Sequence, residues 1–356
     1  MKYCYIIDII GKHSGMHYYD YAFINLLKEN GISAKIISNF NDINAYKLSD
    51  FYSGSYVVKL VKLLSFTLHL MWILLRNRKV TYVYLSFGSK LDLFFLVIIR
   101  LFTSKVIVDI HEFVMLDTTN TWLFKCFSFM YKDKVNCIIY HSDKIRCELV
   151  NIQFLGKMIY VPHFKYDYDK TFCINNVDKQ ILDIDFKSHT TFLFFGHVRP
   201  SKGIDLLIDT IKMVNVANVQ FIIAGNDPDN LLEDTQFCDN LITIRRYINN
   251  DELNFLFFNV DYVLLPYREI SQSGVLETAI YFRKPVLLSN LEYFRDYLNK
   301  FPSFGAQFSL EKAGSLTSLI YTILNNKYQF YSSDDLDLYY DKKELIEFIT
   351  SLRSFE

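Results

Sequence analysis

Two glutamates, Glu269 and Glu277, stand with seven residues between them in "PYREISQSGVLETAIYF". A Ser-Gly pair falls in the gap, and a helical pattern starts at Gly274. Free amides at a helix start, here those of Ser273, Gly274 and Val275, can bind phosphate oxygens. Glu277 lies one turn inside, where a carboxylate can accept hydrogen bonds from sugar hydroxyls. Glu269 ends the preceding loop. A carboxylate there would repel a phosphate, so it should meet something neutral and rich in hydroxyls. A second stretch, "FLFFGHVRPSKGIDLLIDTI", ends a strand at Gly196, places Arg199 and Lys202 in a short loop, and opens a helix near Gly203. Two cations beside a helix N-terminus suit a diphosphate. Taken together, hydroxyl-binding carboxylates flanking a phosphate site describe a sugar nucleotide. The plainer readings are a helix with an N-terminal Glu favoured by its dipole and a solvated basic loop.

His111, in "VIVDIHEF", follows an apolar strand and is expected to face a ligand at that strand's carboxyl end. The plainer reading is a hydrogen-bonded structural histidine. His13, His17 and His163 carry weaker signals. Pairing His111 with Glu112 on a metal fails, because adjacent strand residues point opposite ways. The six cysteines are scattered and none forms a C-x-x-C pair, so they read as reduced thiols of a cytosolic protein, with no zinc site expected.

These residues need strands to carry them, and the chain supplies short apolar runs alternating with helical patterns. "YCYIIDI", "SAKIIS", "VTYVYLSF", "KVIVDIHEF", "VNCIIYHS" and "MIYVPHF" read as strands of a first set. "TTFLFFGHV", "VQFIIAGN", "NLITIRRYI", "VDYVLLPY" and "KPVLLSN" read as a second. Continuous apolar strands separated by helices imply parallel sheets covered on both faces. The expected fold class is therefore α/β, with two Rossmann-like doubly wound domains facing across a cleft. The first should span residues 1–165 and the second 175–337, with a C-terminal helix in 338–356 packing back on the first. Polar "KYDYDKTFCINNVDKQ" is the linker candidate.

At 356 residues, with 51% apolar and 22% charged side chains, the chain is globular and long enough for two domains. Asp8 interrupts the apolar start, so the N-terminus reads as a buried strand and loop, not as a signal peptide. The longest apolar stretches, Leu63–Leu75 and Leu91–Phe102, fall short of the ~20 residues of a membrane span and are expected to be core helices. Charge is uneven. Residues 1–160 carry 19 Lys+Arg against 12 Asp+Glu, hence +7, and residues 161–356 carry 19 against 27, hence −8. A basic first half with "RNRK" (Arg76–Lys79) suits an anionic surface or substrate.

"GHVRPSKG" followed by "PYREISQSGVLETAIYFRKPVL" closely resembles the nucleotide-sugar domain of GT-B glycosyltransferases, in particular glycosyltransferase family 4 with its paired-glutamate motif. Further landmarks of that family occur in order: "GKHSGMHYYDYAFINLLKENG", "VIVDIHEF", "IIYHSDKIRCELV", "YVPHF", "FIIAGNDP" and "RRYINNDELNFLFFNVDYVLLP". The resemblance implies that Lys202 and Arg199 hold the donor diphosphate, that Glu277 binds the ribose and that Glu269 meets the transferred sugar. It places the nucleobase near Tyr247 and Ile248, His111 at the donor sugar, and Gly15 in a glycine loop. Here His197 follows Gly196 where many members have arginine, and Met16 follows Gly15 in place of a second glycine. The implied reaction is metal-independent transfer with retention, needing no cofactor and no Asp-x-Asp cluster placed for Mg²⁺. The implied partners are a nucleoside diphosphate sugar and a saccharide or lipid-linked acceptor, with cytoplasmic placement and no nucleic acid. The +7 charge of the first half, "RNRK" and the apolar stretches beside it suggest, separately, peripheral contact with anionic membrane. Alternatives are a sugar-nucleotide epimerase of the same fold and a non-catalytic sugar-nucleotide-binding protein. A nicotinamide enzyme is disfavoured, since no G-x-G-x-x-G follows the first strand.

Overall fold

The computed structural model describes residues 3–11, 16–114, 121–161, 164, 172–233, 238–270, 273–325, 330 and 343–354. The chain divides into two units, Met1–Asp167 with Lys342–Glu356, and Tyr168–Asp341.

Unit 1 runs β1 (Tyr3–Ile7), α1 (His17–Glu29), β2 (Ser33–Ser38), β3 (Ala45–Lys47), α2 (Tyr56–Arg76), β4 (Thr81–Ser86), α3 (Lys90–Phe102), β5 (Val106–Ile110), α4 (Thr121–Lys134), β6 (Cys137–Tyr140), α5 (Asp143–Asn151) and β7 (Lys157–Tyr160). The sheet order is β3-β2-β1-β4-β5-β6-β7, and every pairing is parallel. Unit 2 runs α6 (Lys179–Leu182), β8 (Thr190–Phe195), α7 (Ile204–Met213), β9 (Val219–Ala224), β10 (Leu241–Ile244), α8 (Asn250–Asn259), β11 (Tyr262–Leu265), α9 (Gly274–Tyr281), β12 (Val286–Ser289), α10 (Glu292–Lys300), β13 (Gly305–Phe308) and α11 (Ser315–Leu324). Its order is β10-β9-β8-β11-β12-β13, again all parallel. The last helix, α12 (Lys343–Arg353), belongs to unit 1.

The local reasons are those that the sequence displays. β4, β5 and β8 are runs of β-branched and aromatic residues buried on both faces, as a covered parallel sheet requires. Helix starts are fixed by side-chain caps: Ser89 and Asp92 form a capping box on α3, and Asn249 and Glu252 form one on α8. In unit 1 the strand order reverses between β1 and β4, and in unit 2 between β8 and β11. Such switch points leave a crevice at the carboxyl ends of the strands.

One expectation fails in part. The two long apolar helices are core on one face only. Phe66, Leu70, Ile73 and Leu74 of α2 are buried, as are Phe95, Leu96 and Ile99 of α3, while the opposite faces stay in solvent. Counting apolar residues does not distinguish one covered face from two. By length and composition alone, α2 could cross a membrane.

Candidate functional site

In unit 2 the chemistry-bearing residues gather at the switch point. Gly196 follows β8, and the loop behind it makes a 3₁₀ turn over Pro200–Lys202. Gly203 then takes a left-handed conformation, φ 69°, before α7. A Cβ on Gly203 would stand 1.9 Å from the Pro266 carbonyl oxygen, so only glycine lets the β8 loop pass the β11 loop this closely. The two loops are also tied through hydrogen bonds. The Arg268 amide donates to the Ser201 carbonyl at 2.9 Å and the Glu269 amide to the same oxygen at 3.4 Å, while Arg268 pairs with Asp205.

This latch sets Lys202 against the β11 loop. Its ammonium lies 3.7 Å from the centroid of the Tyr267 ring, within range of a cation–π contact. Tyr267 is buried, its carbonyl accepts from Ser289 Oγ at 2.6 Å, and the Ser273 side chain lies close enough to its phenol to act on it. Ser273 caps α9, its Oγ accepting from the Leu276 amide at 3.2 Å. The Glu277 amide donates to the Ser273 carbonyl. The amides that this helix start presents ahead of those two are Gly274 and Val275. Lys202 is thus linked through Tyr267 and Ser273 to the N-terminus of α9. Arg199 and Lys202 are close enough to His197 to act on it: partial enclosure, then the two cationic charges, hold its imidazole below the usual histidine range.

The two glutamates differ in setting. Glu269 is exposed, whereas Glu277 is 3% exposed, one turn into α9. Tyr247 and Ile248 lie between β10 and α8. Their loop is held by a bidentate pair that sequence reasoning missed, in which Arg246 donates to both Glu252 oxygens at 2.7 and 2.8 Å. Arg246 also donates to the Tyr247 carbonyl, and the Ile248 side chain is buried, so the half-exposed Tyr247 ring is the accessible part. Gly15, like His13 and His163, lies outside the described residues. Two described Asp-x-Asp triplets exist. In Asp227–Asp229, the Asp227 carboxylate accepts from the Leu231 and Leu232 amides and pairs with Arg245; in Asp183–Asp185, Asp185 accepts from the amides of Lys187 and Ser188.

In unit 1, His111 follows β5 as expected, but its side chain is buried, stacked on Phe87 and edge-on to Tyr19. Burial, only partly offset by Asp109, pushes its imidazole down to about 3, so it is neutral near pH 7. Beneath it lies a network absent from the sequence reading. Asp109 accepts from His141 Nε2 at 2.7 Å and from the Tyr19 hydroxyl at 2.7 Å, and His141 Nδ1 donates to the Val161 carbonyl at 3.0 Å. Burial opposes the Asp109 charge, yet the two histidines and these hydrogen bonds hold its carboxyl below the usual range. One ligand-type atom from each of Asp109, His111 and His141 falls within 4.8 Å of the others. The 2.7 Å Asp109–His141 separation is a hydrogen-bond distance, shorter than the roughly 3.3 Å between ligands of a tetrahedral ion. Nearby, Asp8 and Asp20 are both buried, and burial raises both carboxyls; the Asp8 charge raises Asp20 further, whereas the Ile10 amide and a hydrogen bond with Asp20 draw Asp8 partway back.

Comparison with known proteins bears on this arrangement. Residues 189–325 match the family model described as glycosyl transferases group 1. No curated protein matches the chain significantly. Among solved structures, HepE from Anabaena in complex with UDP-glucose aligns with a TM-score of 0.72 at 12% identity, over 99% of each chain. Sucrose-phosphate synthase from Thermosynechococcus elongatus aligns at 0.69 and 13%, over 99% of this chain and 95% of its own. WaaG, a glycosyltransferase involved in lipopolysaccharide biosynthesis, aligns at 0.67 and 12%, over 98% of each. The fold is GT-B. The GT-B switch point of unit 2, with Lys202 and the start of α9, lies inside the matched segment.

Proposed function

We propose that this GT-B protein is a glycosyltransferase, moving a sugar, in the manner of a hexosyltransferase, from a nucleoside diphosphate sugar to a hydroxyl acceptor. The observation that carries the reading is the latched pair of loops that holds Lys202 beside the N-terminus of α9 at the switch point, within the segment matching glycosyl transferases group 1. Lys202, Arg199 and the Gly274 and Val275 amides bind the diphosphate and stabilise its charge as it departs, which is work that a metal ion does elsewhere. Glu277 binds the ribose, Glu269 the transferred sugar, and the base lies against Tyr247. The paired glutamates are those of family 4, so the anomeric configuration is retained: the acceptor attacks from the face that the diphosphate leaves, and a diphosphate oxygen takes the acceptor's proton. The acceptor is a saccharide or lipid-linked saccharide of cell-surface polysaccharide, capsule or lipopolysaccharide synthesis, met on the cytoplasmic side.

The test is incubation with UDP-, GDP- and ADP-sugars and a generic saccharide acceptor, with the products followed by mass and by anomeric NMR. Sugar transferred with retained configuration is the expected result. An epimerised nucleotide sugar would establish the rival enzyme. Donor binding, read as a thermal shift, without either product would leave a sugar-nucleotide-binding protein.

A further inference from the structure

Helix α2 is apolar on two opposite sides. Its inner side, with Phe66, Leu70, Ile73 and Leu74, is sealed in the unit 1 core. On its outer side Val57, Val61, Leu64, Leu68, Trp72 and Leu75 recur every three or four residues, each between 46% and 68% exposed. At 100° per residue these six share an arc of about 80°. Helix α3 packs beside α2 and continues the surface with Phe94, Val97 and Leu101, at 45%, 43% and 76% exposure. A contiguous apolar face of this kind marks a docking surface.

Charge identifies the occupant. Residues 51–105 carry eight cations (Lys59, Lys62, Arg76, Arg78, Lys79, Lys90, Arg100 and Lys105) and a single acid, Asp92, which is fully buried. Arg76 lays its guanidinium 4.2 Å from the Trp72 ring centroid, so an apolar body and a charged head sit side by side at the helix end. Two copies of such a face would set like charges against each other. Anionic headgroups would neutralise the exposed Arg76, Arg78 and Lys79 at the helix end while acyl chains cover the stripe.

We propose that the outer face of α2 and α3 lies flat in the interface of an anionic lipid bilayer. The helix does not span, because crossing would strip Phe66, Leu70, Ile73 and Leu74 from the core. The inference goes beyond sugar transfer, and its test needs neither donor nor acceptor.

The chain has two tryptophans, Trp72 and Trp122, so Trp122→Phe leaves Trp72 as the sole reporter in the full-length protein. The probe is vesicles of phosphatidylcholine with rising phosphatidylglycerol content, brominated in the acyl chains. The expected result is a blue shift and quenching of Trp72 that grow with anionic lipid and weaken at high salt. Changing Arg76, Arg78 and Lys79 together to Gln should weaken vesicle affinity on the order of a hundredfold. Leu64→Ser with Leu68→Ser, both on the exposed side, should abolish quenching while leaving the circular dichroism unchanged. Three results would each overturn the proposal: no quenching at any anionic content, equal quenching on purely zwitterionic vesicles, or a lipid-free dimer by sedimentation with Trp72 shielded inside it.

Discussion

Removing the Asp109 carboxylate should unfold unit 1 far more readily than amidating it. Asp109→Ala deletes two hydrogen bonds of 2.7 Å, one from His141 and one from the Tyr19 hydroxyl, at a site with no exposure. Bonds to a charged acceptor contribute about 1.5–3 kcal/mol each, and losing one partner leaves the other buried and unsatisfied. Tyr19 and His141 stand 3.3 Å apart and can recover one bond between themselves. The net cost is therefore about 3 kcal/mol, or a fall in melting temperature of roughly 6–12 °C for a unit of this size. Asp109→Asn differs. Its amide nitrogen can donate to His141 Nε2 while its oxygen accepts from Tyr19, and His141 Nδ1 keeps its bond to the Val161 carbonyl. Every group is then satisfied without charge, and the cost should stay below about 1.5 kcal/mol. The assay is urea unfolding followed by tryptophan emission, which reports on unit 1 alone because Trp72 and Trp122 both lie there. Equal losses for the two variants, or a loss below about 1 kcal/mol for alanine, would refute the hydrogen-bond accounting.

Other perturbations address the donor site and pH. Lys202→Ala should lower transfer about 100-fold, near 3 kcal/mol in the barrier, with the fold intact; near-normal turnover would remove Lys202 from the site. Glu277→Ala should raise the donor KM, whereas Glu269→Ala should lower kcat more than it raises KM, because ribose contacts bind ground and transition states alike. A reversed pattern would show the two roles exchanged. On acidification between pH 6.5 and about 3, His111 should contribute a loss of stability to unit 1. The folded protein refuses the proton that His111 takes when unfolded, a difference of up to roughly 5 kcal/mol. The depressed Asp109 adds to this loss at the acid end, as pH falls through its folded value. Asp8 and Asp20 act oppositely, since their raised folded values remove stability as pH rises. His111→Gln should flatten the acid limb in the same urea assay; an unchanged limb would mean that another group carries it.

The sheet strands of both units were legible where buried β-branched and aromatic runs left no other reading, as in "SAKIIS" and "TTFLFF". β3 and β13 were not, because each is a short edge strand of three or four residues without a sustained apolar run. That the two loops would meet could be read because both follow strands at the centre of one parallel sheet, and unit 2 does bring Lys202 beside Tyr267, near the Ser273 cap of α9. The Asp109 network could not be assembled. Its partners lie 32 and 90 residues away in sequence, and its only local trace is an acid inside the apolar strand "VIVDI". Which carboxylate of the Glu269–Glu277 pair would be buried was equally hidden, since burial depends on what packs over α9.

Helix α12 closes unit 1 although it follows unit 2 in the chain. Phe348 packs at a tilt against Phe23 of α1 and Phe164, Lys157 donates to the Ser351 carbonyl, and Arg353 reaches the Asn30 carbonyl. Unit 2, by contrast, is one uninterrupted segment. During synthesis, therefore, the half that begins first finishes last. Unit 2 can fold as soon as it emerges, while the α1 surface waits with Phe23 uncovered until α12 follows it out. A ribosome that stalls after unit 2 but before α12 would display a complete second unit beside an unfinished first one.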